Sequence, residues 1–85
     1  MIKIFTNSRF PKCKACVMVK KYLHSLELEY EELDVVSNMQ EYKNTIADKK
    51  GKGVIVPLVQ IGSDTMVGFS KKRIDEMIIN NKGLI

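Results

Sequence analysis

Lys12-Cys13-Lys14-Ala15-Cys16 is the stretch that decides how this chain is read. It holds the only two cysteines in 85 residues, three positions apart. A run with strand character, Ile2-Lys3-Ile4-Phe5-Thr6, leads into it, and an apolar pattern of helical period, Val17 to Leu26, leads out. Two cysteines at i and i+3 in a first helical turn face each other. Their Cα atoms are expected about 5–6 Å apart, inside the window a disulfide requires. The pair can therefore close and open without moving the fold. Cys13 precedes the helix body, so the unsatisfied N–H groups and positive dipole end of the helix point at its sulfur. Arg9, Lys12 and Lys14 add positive potential, and no acidic residue lies nearby in sequence. Cysteines so placed titrate between about 3.5 and 7.5 instead of near 8.5. Cys16, one turn deeper and on the buried side, is expected to hold its proton more tightly. That asymmetry makes Cys13 the attacking thiolate and Cys16 the resolving thiol of a thiol–disulfide exchange.

The totals narrow the classes. A chain of this length forms one small domain, 1–85, that buries about 60–65% of its unfolded surface. Hydrophobic residues are 45% and charged residues 28%, the balance of a soluble globular domain. No run approaches the roughly 20 apolar residues of a membrane span, and no secretory leader is visible, which places the protein in the cytoplasm. The net charge is +4, with basic clusters at Arg9, Lys12 and Lys14, at Lys49, Lys50 and Lys52, and at Lys71, Lys72 and Arg73. Solvated lysines are the plainer reading of each cluster. Six aromatics, none interleaved with the basic residues, do not make a nucleic-acid stacking platform. Two cysteines and a single histidine, His24, exclude both a disulfide scaffold and a self-contained structural zinc site. A redox pair, or half of a metal site completed by a partner, remains.

Along the chain, Ile2–Thr6 is predicted as a buried strand and Asn7 to Lys12 as a loop broken by Pro11. A helix follows from about Cys13, with Ala15, Val19, Tyr22 and Leu26 as its packed stripe, widened by Met18 and Leu23. His24 falls on its wet face. Leu28 to Val36 reads as an edge strand rich in glutamate. Strand, helix and strand form a βαβ unit with parallel strands. Ser37 and Gln40 fit a capping box that opens a second helix, packed through Met39, Tyr42 and Ile46 and ending around Lys50. Gly51-Lys52-Gly53 connects it to a third strand, Val54 to Ile61. Pro57 inside that apolar run is resolved by a cis peptide at Val56–Pro57. Gly62-Ser63-Asp64 turns the chain into an antiparallel fourth strand, Thr65 to Val67. Gly68-Phe69 ends it, and Ser70 caps a last helix whose inward face is Ile74, Met77 and Ile78.

Three motifs in this order resemble the glutaredoxins, within the thioredoxin fold. They are the strand-loop-Cys13-Lys14-Ala15-Cys16-helix segment, Ile55-Val56-Pro57-Leu58-Val59-Gln60-Ile61-Gly62, and Val67-Gly68-Phe69-Ser70. The resemblance covers essentially the whole chain. It implies an α/β fold: a four-stranded mixed sheet of order 2-1-3-4 flanked by three helices. It also implies a groove between the dithiol loop, the Val56–Pro57 segment and the Gly68 turn, in which the backbone of Val56 meets a bound thiol peptide. The chain departs from the family in places. Lys14-Ala15 stands where many members have Pro-Tyr, and Phe10 where the loop usually has lysine. Phe69-Ser70-Lys71-Lys72 follows Gly68 where glutathione-binding members show Gly-Gly and a downstream Asp, and the first acid here is Asp75. A Gly-Phe turn is closer to the NrdH-redoxins, which are reduced by thioredoxin reductase and donate electrons to ribonucleotide reductase.

The expected function is thus that of a dithiol–disulfide oxidoreductase, a monomeric electron carrier with Cys13 and Cys16 as its catalytic pair. Arg9, Lys12, Lys14, Val56, Pro57, Gly68, Phe69 and Ser70 are its expected groove residues, and the N-terminus of the helix at Ser70 is placed to take a substrate carboxylate. The expected partners are disulfide-containing proteins, with glutathione or thioredoxin reductase as electron donor, no nucleic acid and no membrane. No tightly bound cofactor or metal is expected. The competing reading is a binding module in which Cys13 of two subunits bridges an iron–sulfur cluster or metal.

Overall fold

The structure, a computed structural model, describes residues 2–9, 12–45 and 56–84. Its elements are β1 (Ile2–Thr6), α1 (Lys14–Ser25), β2 (Glu31–Asp34), α2 (Met39–Thr45), β3 (Leu58–Ile61), β4 (Asp64–Val67) and α3 (Lys71–Asn80), closed by a short 3-10 turn, Lys82–Leu84. The four strands form one sheet in the order β2-β1-β3-β4. β1 pairs with β2 in parallel and with β3 antiparallel, and β4 is antiparallel to β3. This is the mixed sheet of the expected thioredoxin fold.

Strand alternation divides the core between the two sheet faces. Ile2, Ile4, Val59 and Ile61 point one way and pack with Val19 and Leu23 of α1 and with Ile74 and Met77 of α3. Phe5 and Leu58 point the other way and pack with Val35 and with Tyr42 of α2, whose ring meets Phe5 edge-on. Lys3, on that second face, pairs with Glu41 of α2 at 2.7 Å. The Glu41 hydrogen bond raises the Lys3 pKa, against an opposing effect of burial.

Several local expectations shift. The stripe of α1 that is buried is Cys16, Val19 and Leu23. Ala15 and Tyr22 are half-buried, and Met18 and Leu26 are exposed. A stripe drawn through Cys16 is rotated by about one residue from one drawn through Ala15, and the cysteine itself supplies its apolar start. β2 is shorter than the apolar pattern implied, and it is an edge strand as expected. α2 begins after Asn38, not after Ser37, so the Ser37–Gln40 capping box does not form. Asn38 instead donates through both its backbone N–H and its side-chain amide to the carbonyl of Asp34, at 2.9 and 3.0 Å. Ile46, Lys49, Lys50, Lys52 and Val54, like the Gly51–Gly53 connection, lie outside the described residues, as do Phe10 and Pro11.

The far end of the sheet is clasped by Asn81, which is buried just after α3. Its side-chain carbonyl accepts from the Ser63 N–H, and its amide donates to Asp64 and to the Met77 carbonyl. Gly62 turns beneath it with φ +60°, and a Cβ there would run into the Asn81 side chain. Gly62→Ala is therefore expected to lose more than the ~1–2 kcal/mol that left-handed backbone costs a non-glycine residue. Asn81→Ala in the same chain removes the two nearest of the colliding atoms, Oδ1 and Cγ, and leaves only the Cβ contact, so the double variant should lose less than the sum of the single losses in urea denaturation. Strict additivity would show that the two residues do not meet.

Candidate active site

The parallel and antiparallel registers bring the motifs to one end of the sheet. Thr6, the last residue of β1, stands opposite Asp34 on β2. On the other side Phe5 pairs with Leu58, which puts Pro57 beside the point where the chain leaves β1 for the cysteines. Leu58 pairs in turn with Val67, and the Gly68 N–H donates to the Pro57 carbonyl at 2.9 Å. Asp34, Thr6, Pro57 and Gly68 thus form a row across the sheet end, and the Cys13–Cys16 loop rises from its middle.

Cys13 is the N-cap of α1, in extended conformation, and its sulfur accepts the N–H of Cys16 at 3.1 Å. A helix leaves its first N–H groups without partners, and here a sulfur takes one of them. The two cysteines are joined as a disulfide, with Cα atoms 5.2 Å apart as the i, i+3 spacing anticipated. Cys13 is half-buried and Cys16 is only 5% exposed. The helix thus offers an N–H to the Cys13 sulfur, a contact of the kind that favours thiolate over thiol in a reduced cysteine.

Among the other expected groove residues, the Val56–Pro57 peptide is cis and Pro57 is buried. Gly68 has φ +87°, a conformation that itself calls for glycine. Ser70 caps α3, its hydroxyl accepting the Arg73 N–H at 3.2 Å. Arg9, Lys12 and Lys14 are exposed around the loop. The Phe69 ring packs edge-on against Tyr22 of α1 at 6.2 Å between centroids. The Tyr22 hydroxyl donates to Asp75, which raises the Tyr22 pKa, and the Lys71 ammonium lies 5.6 Å from the centre of the same ring. The first acid after the Gly68 turn is therefore engaged by α1.

One expectation is corrected. No acid is near the cysteines in sequence, yet a cleft of about 440 Å³ is lined by both cysteines together with Thr6, Lys20, Glu32 and Asp34. Glu32 pairs with Lys20 at 3.3 Å and accepts from the Thr6 hydroxyl. Asp34 accepts from the backbone N–H groups of Ser8 and Val36. Its pKa lies below the usual aspartate value, chiefly through the Ser8 side chain, then through the Val36 N–H, with smaller help from the Ser8 N–H and the Arg9 charge. A signal for these acids was present. In a βαβ unit the carboxyl ends of two parallel strands lie side by side, so an acid ending β2 must flank the loop that follows β1. The Tyr22–Asp75–Phe69 contacts join positions up to 53 apart and carry no local signal. Among the described residues no group of three His, Cys, Asp or Glu side chains is gathered as a metal site.

The sequence model of the family described as Glutaredoxin matches residues 2–66. A glutaredoxin-like 8.6 kDa protein from the rubredoxin operon of Clostridium pasteurianum is 33% identical over 78 residues, 92% of this chain and 97% of that protein. The chain belongs to the glutaredoxin family. Solved structures agree on the fold. The thioredoxin-like protein BC3987 superposes with a TM-score of 0.69 at 26% identity, over 91% of this chain and 99% of that one. The glutaredoxin-like NrdH-redoxin of Escherichia coli gives 0.70 at 20% identity, over 88% and 91%. This glutaredoxin-family chain is a thioredoxin-fold redox protein with its cysteine pair at disulfide distance.

Asp34 offers a pH test of the sheet-end geometry. Its pKa is lowered on folding, so its contribution is complete above the unfolded value and is lost as pH falls through the folded one. Asp34→Asn should unfold at lower urea than the parent at pH 7, and the gap should narrow below about pH 4. A gap that stays constant down to pH 2 would mean that the Asp34 charge contributes nothing.

Proposed function

We propose that the protein is a cytoplasmic, monomeric dithiol carrier that reduces protein disulfides and is recharged by a thioredoxin reductase. The observation that carries the reading is the sulfur-capped helix: Cys13 at the N-terminus of α1, holding the Cys16 N–H, with Cys16 buried behind it. The Cys13 thiolate attacks one sulfur of a target disulfide. That S–S bond breaks, a mixed disulfide forms, and the first target thiolate leaves and takes a proton from water. Cys16 then gives up its proton to water and attacks the Cys13 sulfur. The mixed disulfide breaks, the second target thiolate leaves, and Cys13–Cys16 is oxidised. Two electrons have passed to the target. Val56, Pro57, Gly68 and Phe69 shape the groove that receives the target backbone, and Ser70 begins the helix N-terminus beside it.

The choice of electron donor rests on the second wall. Gly68 is followed by Phe69, and Asp75, the first acid after that turn, is held by Tyr22. Neither arrangement favours the amino group of glutathione. The NrdH-redoxin of Escherichia coli, which shares the fold, has a thioredoxin-like activity profile. Its resemblance makes ribonucleotide reductase the candidate acceptor. One observation favours a second reading with glutathione as donor: Lys12 and Lys14 are exposed beside Cys13 and suit an anion.

NADPH oxidation separates the donors. Turnover of a protein disulfide is expected with thioredoxin reductase and not with glutathione plus its reductase. The reverse pattern overturns the donor assignment. Cys13→Ser is expected to reduce turnover to background. Cys16→Ser should still attack and should accumulate a mixed disulfide visible by mass spectrometry of the intact protein. Full activity in Cys13→Ser would reverse the two roles.

A further inference from the structure

A second hollow, of about 450 Å³, opens at the first turns of α1. It is lined by Lys12, Cys13, Lys14, Val17 and Met18, and shares only Cys13 and Val17 with the acid-lined cleft. Its floor is exposed apolar side chain: Val17 is 42% exposed and Met18 is 49% exposed. Its rim is cationic. Elsewhere Lys3, Lys20 and Arg73 pair with Glu41, Glu32 and Glu76, and Lys71 lies over the Tyr22 ring. Lys12 and Lys14 have no ion-pair partner among the described residues.

We propose that this hollow docks the polypeptide flanking the target's cystine, and that the segment it takes is acidic with an apolar side chain. The inference rests on the protein-disulfide reading and names the substrate class of the same site. Charge complementarity selects the acid: carboxylates of the target pair with Lys12 and Lys14, the cations that line this hollow beside the reacting sulfur. Val17 and Met18 take the apolar side chain. Four helical residues separate Cys13 from Val17, a rise of about 6 Å, which an extended chain covers in about two residues. The apolar residue of the target therefore lies about two positions from the cysteine that Cys13 attacks.

Synthetic peptides test this. Each carries one cysteine as its mixed disulfide with 2-mercaptoethanol, with leucine two residues away and either glutamates or lysines around it. A third peptide keeps the glutamates and replaces leucine by serine. Single-turnover reduction by the reduced protein gives ratios between peptides, from which any change in the thiolate fraction of Cys13 cancels. At low salt the glutamate peptide should react at least about tenfold faster than the lysine peptide, within the range of electrostatic steering. The ratio should fall toward one near 1 M salt, where the screening length contracts to about 3 Å. Lys12→Glu with Lys14→Glu should invert it, and Met18→Ser should erase the preference for leucine over serine. A glutamate-to-lysine ratio near one at low salt, or one unmoved by the charge reversal, overturns the proposal while leaving protein-disulfide reduction intact. So does a leucine preference that survives Met18→Ser. If no peptide is reduced, the protein-disulfide reading falls and this one with it.

Discussion

The register of β1 between its two neighbours is the constraint on which the site depends. Among the described residues β1 is the only strand with a partner of each sense: β2 runs with it and β3 runs against it. A parallel partner ends where β1 ends, and an antiparallel partner begins there. The carboxyl end of β2, the cysteine loop and the cis-proline entry to β3 are thereby brought together by hydrogen-bonding geometry alone. A slip of one residue on either side would turn every side chain of that strand to the opposite sheet face. The hydrophobic pattern forbids this, because Ile2 and Ile4 must meet Val59 and Ile61 on the α1–α3 side while Phe5 meets Leu58 and Tyr42 on the α2 side. Core packing fixes the register, and the register builds the site.

Most of this architecture was legible because its signals are local. The helix mouth at Cys13, the cis peptide before Pro57, the turn at Gly68 and the Ser70 cap each follow from one or two residues and their stereochemistry. The errors have a common physical source. Placing the α1 stripe on Ala15 and Met18 left Cys16, expected on the buried side, out of the stripe, although it is the first apolar residue of the packed face. Choosing Ser37 as cap followed cap preference, whereas the start of α2 is set by Asn38 binding back to the Asp34 carbonyl at the end of a strand.

The electrostatics of the site were half legible. The cations Arg9, Lys12 and Lys14 are adjacent to the cysteines in sequence, so they were visible. The opposing acids, Glu32 and Asp34, reach the same cleft through strand pairing. They become apparent only when two parallel strand ends are laid side by side. The dithiol consequently lies between unlike fields, basic on its loop and on the outer face of α1, acidic toward β2. The groove wall opposite is held by a non-local clip in which Tyr22 grips Asp75 and braces Phe69.

The sulfur that caps α1 has a thermodynamic side. Any contact that stabilises the Cys13 thiolate belongs to the reduced protein and is weakened when the sulfur loses its charge on oxidation. A helix N–H at a cysteine sulfur therefore has two opposed effects on a dithiol–disulfide couple. It favours the nucleophilic thiolate, and it makes the reduced state harder to leave, which pulls the couple toward the oxidising end of the scale. The carboxylates across the cleft act in the other direction, since negative charge near a thiolate disfavours it. Speed of attack and willingness to give up electrons thus both respond to α1 and to β2, in opposite senses, and substitutions in β2 can shift them without touching the hydrogen bond from the Cys16 N–H.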